Sequence, residues 1–257
     1  MKIQIQGLGT YYETQGDGDA IILLHGWGAD ANTMRPILMF LRNKIEKVKV
    51  ISMDFPGFGL SDFPPLPWNV DNYVQHLLSF INELGIPVVT LLGHSFGGRV
   101  AINFAALYPS RVNRLVLVDS AGIIPKRGIN YYFRVYFAKT FKFINFALQK
   151  LGANMAFTNK IYSIFGSEDY KHAGKMRETF VRVVNRDLKE FMPMIKSETL
   201  LIWGDKDKAT PLQDAFSMKS LIPNSSLIVI KGAGHYSFLD NFDAFTKALL
   251  PFLGGRA

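Results

Sequence analysis

The chain has no cysteine. That excludes disulfides, thiolate metal sites and a cysteine nucleophile, and it fits a reducing compartment. Long apolar runs are also missing. No stretch reaches the ~18 consecutive apolar residues that a membrane helix needs, and the opening MKIQIQGLGTYYETQ has no apolar core of signal-peptide length. The expectation is a cytoplasmic chain with no integral membrane segment. There is no H-E-x-x-H and no clustered His/Asp set, which argues against metal-dependent hydrolysis. Gly7-Leu8-Gly9 lacks the third glycine of a dinucleotide loop, Tyr12 standing in its place. No cofactor is implied. Internal repeats and low-complexity linkers are absent as well.

Apolar residues make up 48% of the 257 positions and charged residues 19%, a globular balance, and the length suits one large domain carrying an insertion. The net charge of +8 is unevenly placed. From Ile123 to Ile195 there are thirteen Lys or Arg against five Asp or Glu, so this segment carries the whole excess, while the remainder is balanced at sixteen of each sign. An asymmetry this complete points to two parts with different tasks.

Outside that segment, apolar runs alternate with helical patterns. Ala20–Leu24, Val48–Met53, Val88–Leu92, Leu115–Val118, Leu200–Trp203 and Leu227–Ile230 read as strands. Most are continuously apolar, as expected of parallel strands covered on both faces. Val70–Leu84, Phe96–Leu107, Pro211–Leu221 and Phe238–Phe252 have helical length and spacing, and Tyr108-Pro109-Ser110 stops the second of these. Met1–Thr14 reads as an antiparallel pair at one edge. The pattern predicts an α/β fold: a doubly wound, mostly parallel sheet with helices on both faces. The rhythm breaks from 123 to 196, where the chain is basic, helix-like and rich in aromatics, eight of them between Tyr131 and Phe146. The simplest organisation is a core of residues 1–122 and 197–257 with a helical cap, residues 123–196, inserted between two strands. The aromatics serve either as the cap's own core or as the lining of an apolar pocket or a membrane contact.

LLGHSFGGRVAI, residues 91–102, places Ser95 between Gly93 and Gly97. The G-x-S-x-G pattern alone is weak. Its context is stronger, because a buried strand precedes it and a helix follows. A serine on so sharp a turn needs small neighbours, and the helix start directs free N–H groups at the spot where an anion would develop. Such a hydroxyl needs a base. His94 adjoins the serine and points away from it on a tight turn. His25 follows the first core strand, and His76 and His172 fall within helical patterns. His235, in GAGH after the last strand, lies at the sheet edge where loops gather in parallel sheets, and it is the expected base. The base needs a carboxylate to orient it. Asp205 and Asp207 both follow the strand LLIW, and spacing alone does not separate them. Asp54 and Asp119 also end strands; Asp54, opening DFPGFG, suits a turn.

With these residues in hand, the chain resembles the α/β-hydrolase fold superfamily, specifically its lid-bearing serine hydrolases. HGWG at 25–28, DFPGFGLS at 54–61, WGDKDKATP at 203–211 and GAGH at 232–235 all fit, and the likeness covers nearly the whole chain. It implies an eight-stranded sheet and the order nucleophile, acid, base as Ser95, Asp207 and His235. The family's G-x-x-D-x-x-x-P pattern falls on Gly204, Asp207 and Pro211, which favours Asp207 over Asp205. The same mapping implies an oxyanion hole from the backbone N–H groups of Trp27 and Phe96. His25 is expected to bond within its own loop, and Ser61 to be structural. An aspartate nucleophile, as in the family's dehalogenases, is excluded by Ser95.

The activity implied is hydrolysis of carboxylic esters through an acyl-enzyme. HGWG followed by DFPGFGLS is similar to the bacterial carboxylesterases of biotin synthesis, and a basic cap suits a small-molecule ester that is anionic or carrier-bound. A second class is C–C bond hydrolysis or elimination on a carboxylated substrate, as in aromatic degradation and menaquinone synthesis. There Arg99 is either a carboxylate ligand or a plain helix-surface residue. A third is a receptor that retains the pocket. Nucleic acid is not an expected partner, since the basic residues of the cap are interleaved with apolar ones and no binding motif is present.

Overall fold

The computed structural model describes residues 1–124 and 172–254. The aromatics between Tyr131 and Phe146, and most of the expected cap at 123–196, lie outside the described residues.

The alternation in the sequence becomes an eight-stranded sheet. Its strands are β1 (Lys2–Ile5), β2 (Leu8–Gly16), β3 (Asp19–Leu24), β4 (Val48–Met53), β5 (Val89–His94), β6 (Val112–Val118), β7 (Glu198–Gly204) and β8 (Ser225–Ile230). They lie in the order β1-β2-β4-β3-β5-β6-β7-β8. β1 and β2 pair antiparallel at one edge and β2 joins β4 antiparallel; every pairing beyond that is parallel. The expected α/β fold and mostly parallel sheet are observed.

The helices are α1 (Arg35–Lys44), α2 (Val70–Glu83), α3 (Phe96–Leu107), α4 (Arg177–Val184), α5 (Leu212–Leu221), α6 (Ser237–Asp240) and α7 (Phe242–Phe252). Successive strand residues point to opposite faces, so each core strand feeds two cores. Ile22 and Leu24 of β3 join α2, α3 and α5 on one face, while Ile21 and Leu23 join α1 and α7 on the other. Continuous apolarity in AIILL is the price of being covered twice, and each fully buried Leu or Ile there contributes ~1.5–3 kcal/mol.

Two details depart from the sequence expectation. α1 was not anticipated; Pro36 sits in its first turn and it buries Ile37, Leu38 and Leu41. The expected helix 238–252 is two helices, because Asn241 leaves the helical conformation at φ −146° and ψ 76° and its side chain accepts from the Ala244 amide, starting α7 afresh.

The order of strands across the sheet reverses at β3. From β3 the chain steps to β4 on one side, then crosses to β5 and continues outward through β8. The carboxyl ends of β3 and β5 therefore meet at a topological switch point, where open α/β sheets bind ligands. HGWG and Ser95 follow these two strands. Of the expected cap, residues 172–196 contain helix and turns and no strand among the described residues. α4 rests on the same sheet edge: Phe180 packs on Trp27 at 5.0 Å between ring centroids, and Thr179 Oγ1 accepts the Trp68 amide at 3.0 Å.

Candidate active site

Ser95 links β5 to α3 with φ 50° and ψ −112°. A non-glycine residue in such a region carries ~1–3 kcal/mol of strain and persists only where its surroundings hold it. They do so here. The Ser95 amide donates to Val118 O at 3.1 Å, and the Ser95 carbonyl accepts from Ala121 at 3.0 Å. The glycines are required by contact. A Cβ on Gly93 would stand 2.6 Å from Gly97 O, and one on Gly97 would collide with the Leu24 carbonyl. The turn is possible only because strand, helix and the neighbouring strand end approach backbone to backbone.

The expected partners converge on this turn. His235 Nε2 lies 2.9 Å from Ser95 Oγ, and His235 Nδ1 lies 2.8 Å from Asp207 Oδ2. Asp207 Oδ1 accepts the Ala209 and Thr210 amides at 2.7 and 3.0 Å, and the Thr210 hydroxyl reaches Oδ2 at 2.6 Å. Burial opposes ionisation of Asp207, but the bonds from His235 and Thr210 outweigh it and hold the carboxyl below its ordinary range. Because Asp207 accepts only, Nδ1 of His235 carries the proton and Nε2 is free to accept from Ser95. Asp205 points elsewhere and accepts the Gly232 amide at 2.7 Å.

Trp27 and Phe96 stand side by side, their rings 5.5 Å apart. As the first residue of α3, Phe96 keeps its amide outside the intrahelical ladder. The loop carrying Trp27 comes up against the serine, since a Cβ on Gly26 would lie 3.3 Å from Ser95 Cβ. Next to Trp27 is a cleft of about 300 Å³ lined chiefly by Trp27, Phe58, Phe63, Lys175 and Met176.

His25, His76, His94, Asp54 and Ser61 make structural contacts, whereas His172 lies at the rim of the cleft. His25 is buried, with Nδ1 2.7 Å from Gly26 O and Nε2 accepting the Phe55 amide at 3.0 Å; burial lowers its pKa. Asp54 braces its turn, accepting the Ala31 amide at 2.6 Å and the Leu60 amide at 2.7 Å. Ser61 Oγ donates to Asp54 O. His76 pairs with Thr10 Oγ1 at 2.9 Å inside the core. His94 points away from Ser95, as a tight turn requires, and its Nε2 lies 2.8 Å from the carbonyl of His235. Burial drives His94 down to about 3. It is therefore neutral, and Nε2 is the donor.

Three residues were not resolved by sequence reasoning. Arg99 is not a surface residue: it is 3% exposed and donates to the Arg186 carbonyl. Thr210 bridges Asp207 and the Asp119 carbonyl, and nothing in DKAT signals that in advance. Asp119 follows β6 as anticipated, and its carboxylate accepts amides on the loops that carry Asp207 and His235, which no sequence signal announced.

Comparison with known proteins agrees with this architecture. The family model described as "alpha/beta hydrolase fold" matches residues 19–242. A 2-hydroxy-6-oxo-6-(2'-aminophenyl)hexa-2,4-dienoic acid hydrolase from Metapseudomonas resinovorans is 28% identical over 267 residues, covering 98% of this chain and 89% of that protein. An esterase from Exiguobacterium antarcticum superposes with a TM-score of 0.77 at 25% identity, covering 98% of each chain. The enol-lactonase from Burkholderia xenovorans LB400 superposes with a TM-score of 0.76 at 22% identity, covering 99% of this chain and 100% of that one, a likeness of fold. These relatives support hydrolase activity without singling out carboxylic esters. With a family model spanning most of its length, the chain belongs to the alpha/beta hydrolase fold family.

Proposed function

We propose that the chain is a serine hydrolase that cleaves carboxylic esters through an acyl-enzyme, with Ser95 as nucleophile, His235 as general base and Asp207 as the acid that orients it. The observation carrying this reading is the unbroken chain of short contacts from Ser95 Oγ through His235 to Asp207, at 2.9 and 2.8 Å. Ser95 Oγ adds to the ester carbonyl while His235 Nε2 takes its proton. The oxyanion that forms is met by the amides of Trp27 and Phe96. The C–O bond breaks, His235 returns the proton to the leaving alcohol, and water activated by the same nitrogen releases the acid. Residues 123–196 act as the cap that shapes the substrate space, and the part of it formed by α4 already packs on Trp27.

A second reading has its own support. The relative from Metapseudomonas resinovorans bears the name of a hydrolase of a dienoic keto acid, which favours cleavage of a C–C bond next to a ketone in a carboxylated substrate. The same serine and histidine serve either bond. A panel of p-nitrophenyl esters from acetyl to palmitoyl, run beside a vinylogous diketo acid, separates them. Higher kcat/KM on an ester supports the first reading, and higher kcat/KM on the diketo acid replaces it with the second.

A further inference from the structure

Behind the triad lies a carboxylate that the proposed chemistry does not use. Asp119 follows β6 directly and is completely buried. Its Oδ1 accepts the Gly204 amide at 2.8 Å, at the end of β7 and three residues before Asp207. Its Oδ2 accepts the Ser237 amide at 3.0 Å, two residues after His235. Its carbonyl receives the Thr210 hydroxyl at 3.0 Å, and the same hydroxyl oxygen lies 2.6 Å from Asp207 Oδ2 and 3.4 Å from His235 Nδ1. Its amide donates to Ile202 O at 3.0 Å, while the residue before it accepts from the Ser95 amide. One residue thus touches the loop of the acid, the loop of the base and the strand end that fixes the nucleophile. It does so at φ 44°, a conformation that needs a reason in a residue other than glycine.

Resting on the triad reading, we infer that Asp119 is a positioning residue for catalysis: its two carboxylate oxygens clamp the Asp207 and His235 loops to each other and so set the Ser95–His235–Asp207 geometry. Both oxygens must accept for the clamp to close, because each faces a backbone N–H. A carboxylate does this and an amide does not, since one end of an amide is itself a donor. Burial pushes the Asp119 carboxyl up to about 7, with Asp207 adding to the rise and the Ser237 and Gly204 bonds opposing it.

The test is Asp119→Asn, which keeps the shape, tolerates the left-handed backbone and converts one acceptor into a donor. Ester turnover is measured per fluorophosphonate-reactive serine, so misfolded molecules are not counted. The expected result is a fall in kcat of ~10–100-fold, the scale that small misplacement of reacting groups produces. KM should stay within about twofold. Unchanged kcat per reactive site would overturn the inference and leave Asp119 as a fold element only. Should Asp119→Asn fail to fold, Ser237→Pro decides. It removes the amide that Oδ2 accepts, together with the Ser237 hydroxyl, which also interacts with Asp119, at a first helical position where proline is tolerated. A comparable fall in kcat supports the clamp, and wild-type kcat overturns it. Ser95→Ala, run in parallel, separates the two levels: turnover that survives it sinks the triad reading itself, whatever Asp119 does.

Discussion

At the scale of single residues, the distinction between Asp205 and Asp207 is the sharpest one in the molecule. The two carboxylates are separated by one residue, yet one accepts the Gly232 amide and the other faces His235. Asp207→Asn replaces an acceptor with a group that can donate toward Nδ1, which turns the imidazole into the wrong tautomer, and kcat should drop by ~10⁴-fold. Asp205→Asn should leave kcat within about twofold. Steady-state ester kinetics on the two variants checks the assignment, and equal losses would contradict it. This choice was not legible from spacing; it came from resemblance to a family pattern, because two residues on one loop differ only in where the loop turns. His235 was legible, since only one histidine followed a core strand at the last loop. Arg99 was not. A charged residue one turn into a helix reads as surface, and its burial depends on the carbonyl of Arg186, far along the chain.

At the scale of elements, the close approach of α3 to β3 and β5 makes the serine turn. Gly97→Ala would drive a methyl group into the Leu24 carbonyl, which is backbone and has nowhere to go. Overpacking of this kind costs ~1–3 kcal/mol. Both the urea midpoint and the fraction of fluorophosphonate-reactive enzyme should fall. An alanine variant with wild-type midpoint and labelling would show that the turn does not need this contact. The sheet strands were legible because burial on both faces leaves no room for polar alternation, so each reads as an apolar block. Boundaries were less so. β6 begins at Val112 although only Leu115–Val118 is a continuous apolar block, since Asn113 and Arg114 lie toward the uncovered end of the strand. The split between α6 and α7 escaped because Asn241 interrupts the backbone while Phe238, Phe245 and Leu249 keep a helical apolar spacing across it.

At the scale of the whole molecule, the excess positive charge lies within 123–195, and the structure brings Ser95, His235 and Asp207 together outside that segment. Stability should depend on pH through buried histidines. Burial lowers His76 to about 4 against an unfolded value of 6.5. Above about pH 6.5 both states hold it neutral and its contribution is complete. As pH falls from there through 4, the unfolded chain gains a proton that the folded chain refuses, and stability is lost. Asp119, raised to about 7 by burial, works in the opposite sense over its own range, stabilising the fold at low pH and losing that effect as pH rises toward 7. His76→Gln should therefore flatten the acid side of the stability curve by about one proton, ~1.4 kcal/mol per pH unit. Urea unfolding between pH 4.5 and 7 reads this, and an unchanged slope would contradict it. Ser95, pressed into a strained turn and hydrogen-bonded to His235, is the proposed nucleophile. Labelling the protein with a fluorophosphonate, while ester turnover is followed and the modified peptide is mapped, tests it most directly. One label per chain on Ser95, with turnover lost in proportion, is the predicted result; a label on another residue, or full turnover with Ser95 occupied, would contradict it.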